Sequence, residues 1–259
     1  MTALIRAELW RVSSRRLFRA LLALAVLAVV VVCAWIFFAS GSARDFSYGE
    51  AVPGGLRIAA SILFTTSVVV GASAVGAEWG SGVMTTLLTW EPRRGRLMTA
   101  KAAAVIFAVV LAAVGIFVLI TLALLPAGTL RGSMDGLTAS WWRSLAGLAL
   151  RGMAAAALGT GLGVGLANIM RTAAGPIAGW MIFQFVVAPI LTFFWRPGLY
   201  RWFPDGNVQL LLGGFEESSI NGVQLVPSAS ALRGGLVLAA YAGVMLIAGF
   251  AAFRSRDVT

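Results

Sequence analysis

Residues 20–43 read ALLALAVLAVVVVCAWIFFASGSA, 24 consecutive positions without a charged side chain. A run of 18 or more such residues is long enough to cross a bilayer as a helix and longer than an ordinary buried core segment needs. Five more uncharged runs follow at 58–77, 102–130, 152–170, 172–195 and 234–253, so that the six cover 136 of the 259 residues. About 20 helical residues traverse the ~30 Å hydrocarbon layer, and each run therefore supplies one crossing. The third run, 29 residues long, exceeds one upright span, and its surplus is expected to tilt or to extend past Pro126. Composition agrees, with 59% of residues hydrophobic and 12% charged, about half the charged share of a soluble domain. The expected fold class is all-α integral membrane, one transmembrane domain over 1–259 with six spans.

A cleaved signal peptide is the rival for the first run, because Arg15, Arg16 and Arg19 precede it and small residues follow at 39–43. Signal-peptide apolar regions run about 7 to 15 residues, roughly half the length seen here, which favours a retained first span. Six crossings place both termini on one face. Counting Lys and Arg with the termini inside gives twelve cytoplasmic against eight outer residues, so both termini are expected in the cytoplasm. Trp10, Trp79 and Trp90 then fall at the inner boundary, and Trp35, Trp141, Trp142, Trp195 and Trp202 near the outer one, as indoles prefer the headgroup region. Trp180 lies deeper and calls for a packing partner. The formal charge of +10 reads as anchoring to the lipid bilayer, with no nucleic acid as partner.

Several chemistries are excluded. With a single cysteine, Cys33, and no histidine, neither an intrachain disulfide nor a Cys/His metal site can form. The only lysine, Lys101, has no glycine pair in register for a P-loop, so no cofactor is expected on this chain and ATP cannot be hydrolysed by it alone. Gly159, Gly161, Gly163 and Gly165 miss the dinucleotide fingerprint at Val164. They form instead two small-xxx-small pairs, 159 with 163 and 161 with 165, which let other backbones approach a tightly packed or bending fourth span. No Asp, Glu or His lies inside the six runs, which argues against intramembrane hydrolysis and against a proton-relay transporter. Energy for uphill transport would then come from a partner.

Ahead of the first span, Ile5, Leu9 and Val12 recur at i, i+4 and i+7, with Glu8, Arg11 and Arg15 on the other side and Leu4 among them. Residues 1–19 thus predict an amphipathic helix lying in the membrane surface; a plain basic flank would explain the arginines but not the apolar stripe. Residues 78–101, EWGSGVMTTLLTWEPRRGRLMTAK, place Val83, Leu87 and Trp90 at i, i+4 and i+7 with Met84 and Leu88 alongside. Pro92 stops that short helix, and the basic turn of Arg93, Arg94 and Arg96 follows. Such a helix lies against its own spans or presents a face to a cytoplasmic partner.

These features together resemble the type-2 permeases (ABC-2) of ATP-binding-cassette exporters, particularly actinobacterial members: a basic amphipathic first helix, six spans, Glu78 directly after span two, and a short Gly/Thr-rich helix. Pro92 with basic residues, Lys101 opening span three, and an apolar last span running into Phe253–Val258 complete the pattern. The resemblance implies an exporter subunit of the bacterial plasma membrane, paired with a second permease copy or paralogue and driven by a cytoplasmic ABC ATPase that holds ATP and Mg. It implies an elbow helix at about 4–16, carrying Ile5, Leu9, Val12, Arg15 and Arg16. It further implies an ATPase-coupling segment at about 78–96, carrying Glu78, Val83, Met84, Leu87, Leu88, Trp90, Arg93 and Arg94, with Glu78 paired to Arg16, Arg94 or Lys101. A translocation path along spans two and five is implied at Thr65, Thr66, Ser67, Phe183, Gln184 and Phe185, where aromatic and weakly polar walls suit an amphipathic or hydrophobic cargo. The alternatives are an ATPase-independent channel or facilitator and a non-transporting membrane scaffold. The 196–233 connection is expected outside the cell, with 206–215 as a re-entrant or interfacial piece.

Overall fold

The computed structural model describes residues 2–39, 46–90, 93–195, 202–213, 219–220, 223–224 and 231–255. In chain order the helices are α1 (Thr2–Ser14), α2 (Arg16–Ala39), α3 (Tyr48–Gly80), α4 (Val83–Trp90), α5 (Arg94–Ala123), α6 (Leu125–Arg131) and α7 (Ala139–Met170). Then come α8 (Ala174–Ile182), π-helical turns at Phe183–Val187 and Leu191–Trp195 flanking α9 (Ala188–Ile190), α10 (Pro204–Leu211) and α11 (Ala231–Ser255). A two-residue antiparallel ladder, β1 (Ser219–Ile220) with β2 (Val223–Gln224), sits between α10 and α11. Among the described residues, six helical stretches are long and apolar enough to span a membrane: Arg16–Ala39, Tyr48–Gly80, Arg94–Arg131, Ala139–Met170, Ala174–Phe194 and Ala231–Arg254.

The helices outrun the uncharged sequence. At 1.5 Å per residue the 32 residues of α7 reach about 48 Å, against ~30 Å of hydrocarbon, so their ends extend through the headgroup region where arginine is at home. Arg57 accordingly lies within α3, Arg131 ends α6, Arg143 and Arg151 belong to α7, and Arg233 to α11, where the charge pattern alone places all five in loops. The long third run breaks at Leu124, and α6 restarts with Pro126 in its first turn, the position where a missing N–H costs nothing.

The centre of the bundle is α7. It runs parallel to α3, and the seam is built from small residues: Gly152 meets Ala60, Gly159 meets Phe64 and Ser67, Gly163 meets Val68 and Ala72, and Gly71 meets Thr160. A Cβ at Gly163 would overlap the Val68 carbonyl oxygen and lie 2.9 Å from Ala72 N. The second glycine pair serves a different neighbour. Gly161 lies against Leu246, and a Cβ at Gly165 would overlap the Met245 backbone and stand 2.8 Å from Leu246 N. Facing it, Gly249 of α11 approaches the Gly165 carbonyl. Glycines two residues apart point about 200° apart around a helix, so the alternating run lets α3 and α11 close on opposite flanks of α7.

Around this three-helix core, α5 packs on α3, α7 and α1, whereas α2 and the α8–α9 span lie at the periphery with mostly exposed apolar side chains. Trp180 finds the packing partner its depth demands, meeting Phe64 of α3 edge-on at 5.8 Å. Of the 206–215 piece, the described residues form the end of α10, a helix buried through Asn207, Val208 and Leu211. It crosses α11 at Gly234, where a Cβ would lie 2.6 Å from the Asn207 carbonyl oxygen.

At the end of the bundle away from α1, Tyr48 is 1% exposed and its hydroxyl donates to the Thr121 carbonyl at 2.8 Å. Next to it, Trp141 Nε1 donates to Gly49 O at 2.8 Å. Replacing Tyr48 with Phe keeps the ring and removes one bond, so stability should fall by about 1 kcal/mol. In a chain of this size that is a thermal midpoint roughly 2–4 °C lower, readable by differential scanning fluorimetry in detergent; an unchanged midpoint would mean the bond contributes nothing.

Candidate functional site

The opposite end gathers α1, the last turns of α3, α4, the start of α5 and the ends of α7 and α11. The apolar floor there is Ala72, Val75, Met84, Leu97, Met98, Val164, Ala167 and Phe253, with Leu4, Trp79 and Leu87 packed against it. Trp79 is held from three sides: it donates to Asn168 Oδ1 at 3.4 Å, meets Phe253 edge-on at 5.7 Å, and carries the Arg171 guanidinium 4.8 Å above its ring. Arg171 caps α7 in the left-handed conformation at φ 54°, which a non-glycine residue rarely adopts.

Beside this floor lies a buried ion network. Lys101 Nζ donates to Glu8 Oε2 at 3.2 Å and to Glu78 Oε2. Arg15 donates from one guanidinium nitrogen to Glu78 Oε1 at 2.6 Å and from the other to the Ser73 carbonyl at 3.1 Å. Arg11 closes the ring, 3.0 Å from Glu8 Oε1 and 4.0 Å from Glu78 Oε1. Lys101 is 1% exposed, Glu8 and Glu78 4% each. Two carboxylates and three cations thus bind α1, α3 and α5 at a single point. Burying charge is costly unless every partner is present, so the arrangement tolerates one relative position of the three helices. By joining the three helices through buried ion pairs, it fixes where α1 sits.

The network turns α1 from its expected orientation, keeping Val12 of the apolar stripe inside and bringing Glu8 in beside it. Leu4, Glu8, Val12 and Arg15 follow one another at i, i+4, i+8 and i+11, on the side turned to the bundle, where Val12 is 3% exposed and Glu8 4%. Ile5 and Leu9 are half-buried, while Trp10 is 79% exposed and Arg16 is exposed. Charges face inward because their opposite charges wait on α3 and α5, a circumstance that amphipathic periodicity does not register. Of the three expected partners of Glu78, the structure selects Lys101 and adds Arg15; Arg94 instead reaches the Phe253 carbonyl at 3.5 Å.

In α4, Met84 is 1% exposed and seated in the apolar floor, Leu87 is half-buried against it, and Val83 is 39% exposed. The side chains of Leu88 and Trp90 lie outside the described residues. Arg93 precedes α5 and is exposed. The six residues read as a translocation path lie in different settings. Ser67 is buried against Gly159 of α7 and donates to Phe64 O at 2.6 Å. Thr66 donates to Ile62 O at 2.8 Å, and Thr65 is half-buried. The Thr66 and Ser67 hydroxyls bond back to their own helix, the ordinary use of Ser and Thr in a span. Phe183 packs edge-on against Phe203 at 5.5 Å, Phe185 is 67% exposed, and the buried Oε1 of Gln184 has no hydrogen-bond partner among the described residues.

Glu8, Arg11 and Arg15 are network residues that the amphipathic reading sets opposite the apolar stripe. A usable signal exists: the single lysine opens the third span, and one acid and two arginines are spaced three and four apart on the first helix. The chain is a multi-pass helical membrane protein, and among its described residues this network joins two buried carboxylates to three cations. No protein-family model and no curated protein matches it.

Proposed function

We propose that the chain is the membrane-spanning permease subunit of an ABC exporter of the ABC-2 type. It moves an amphipathic or hydrophobic substrate across the bacterial plasma membrane, with both termini in the cytoplasm, as one of a pair of permeases. ATP hydrolysis takes place on a separate cytoplasmic ABC ATPase. The observation that supports this most is the way α4 is mounted. Met84 plugs α4 into the same end of the bundle where Lys101, Glu8, Glu78 and Arg15 lock α1, α3 and α5 together. A push on α4 from outside the membrane would therefore pass to those helices as a unit. The absence of any acid relay along the six uncharged runs leaves the driving energy to a partner.

The test is mild-detergent purification of the tagged chain from its native host. A stoichiometric P-loop ATPase is expected, lost by roughly tenfold, or ~1.4 kcal/mol, when Val83 and Leu87 become Asp while the thermal midpoint of the permease is kept. Val83 is the cleaner probe because its side chain already faces outward. A pure preparation with no ATPase overturns the proposal in favour of a channel or scaffold.

A further inference from the structure

Two hollows on the α1 side of the bundle share one lining residue. The first is a groove of about 1120 Å³ between α1 and α5, walled by Arg6, Trp10, Arg11, Phe18, Phe107 and Leu111 with Ser13 and Ser14 at its rim. The second is a slot of about 280 Å³ between α2, α3 and α5, walled by Phe18, Leu21, Ala25, Val29, Ile62 and Ile116 among others. Phe18 lines both. Phe18 thus stands between a mouth that carries two arginines and an apolar slot.

We infer that these hollows form a single binding site for one anionic phospholipid of the leaflet on the α1 side, its phosphodiester headgroup held in the mouth and an acyl chain in the slot. Three observations fix the occupant. The mouth carries two arginines: Arg6 makes no hydrogen bond or ion pair among the described residues, and Arg11, paired with Glu8 and 4.0 Å from Glu78, keeps a side chain that is 40% exposed, so both can meet a phosphate. The slot offers only the hydroxyls of Thr66 and Ser67, and both already donate to their own helix; nothing polar is left to recognise there. Its length matches one leaflet, since the helix rises about 16 Å from Phe18 to Val29, half of the ~30 Å hydrocarbon thickness. Ala25, Ala28, Ala59 and Ala112 keep the slot open where larger side chains would fill it. The exposed indole of Trp10 beside the mouth suits the headgroup depth. Such a lipid would rest against α1 and pin the outer face of the helix whose inner face carries the ion network. The site needs no transport activity and stands independently of the exporter proposal.

Delipidated full-length protein, titrated with phosphatidylglycerol or phosphatidylcholine of identical acyl chains and followed by native mass spectrometry, tests it. Two arginines imply roughly thirty-fold preference for the first retained phosphatidylglycerol, equivalent to ~2 kcal/mol. Arg6→Gln should reduce that preference about fivefold, and Ala25→Phe should release the lipid by filling the slot while leaving both arginines in place. A phosphatidylglycerol with a diazirine on its acyl chain should crosslink to α2 or α5 between Leu21 and Val29 or Val109 and Ile116. Equal retention of the two lipids by the unaltered protein overturns the site, as does retention that neither substitution changes or crosslinking spread over the exposed face of α8.

Discussion

Lys101→Met should be among the most destabilising single substitutions in the chain. The methionine fills the space of the lysine stem, but Glu8 and Glu78 each lose a cationic partner in a pocket where they are 4% exposed. Removing one member of a buried ionic group costs about 3–5 kcal/mol, because the charges left behind stay desolvated. Arg15 would still hold Glu78 and Arg11 would still hold Glu8, which keeps the loss at the lower end of that range. Arg11→Gln should cost under ~1 kcal/mol, since its side chain is 40% exposed and water screens the pair. The measurement is a double-mutant cycle of Lys101→Met with Glu8→Gln, read as thermal or denaturant midpoints in detergent. Coupling of about 1–3 kcal/mol is expected. If the two losses simply add, the network is a crowd of independent side chains and the proposed locking of α1 to α5 fails.

The same network shows where sequence reading stops. The six spans are legible because a bilayer demands long uncharged runs, a demand each run meets on its own. The side of a helix that faces its neighbours is a property of pairs. Val12 at i+7 from Ile5 reads as one apolar stripe, yet Ile5 and Val12 end up differently buried, and Glu8 joins Val12 inside. Knowing this requires Glu78 and Lys101, which stand 70 and 93 positions further along the chain. Arg57 and Arg151 teach a related lesson: charge marks the ends of the uncharged runs, but helices continue through the headgroup region, so both arginines lie well inside α3 and α7. The hydroxyls of Thr66 and Ser67 invite a pathway, and the structure returns them to the carbonyls of Ile62 and Phe64. Residue type alone does not separate those uses, because an intrahelical bond satisfies a hydroxyl as well as a cargo would.

The glycines of α7 are the part of the interior most open to reading, and they support the second large prediction: Gly163→Ala should cost more than a conventional glycine-to-alanine change could return. In an unobstructed helix position that change stabilises by roughly 0.5–1 kcal/mol, because alanine loses less backbone entropy. At Gly147 in the same helix an added methyl would find nothing within 4 Å, so Gly147→Ala should raise the thermal midpoint. At Gly163 the added carbon would meet the Val68 carbonyl and Ala72 N of α3, backbone atoms that no side-chain rotation can move. Relief requires the two helices to part, and a gap of about 0.5–1 Å already forfeits a quarter to a half of each atom pair's attraction. That loss spreads along the seam, through Ser67 against Gly159 and Ala60 against Gly152. In lipid there is little hydrophobic drive to restore the pairing once close packing is gone. Gly165→Ala should do comparable damage through α11 instead, since its methyl would meet Met245 and Leu246. Because the two glycines serve different neighbours, their losses should come close to adding, within about 0.5 kcal/mol. Monodispersity on size-exclusion chromatography and thermal midpoints for the three single variants and the 163/165 double decide it. A Gly163→Ala protein as stable as Gly147→Ala would mean that α3 and α7 do not rely on backbone contact, and the core described for α7 would have to be abandoned.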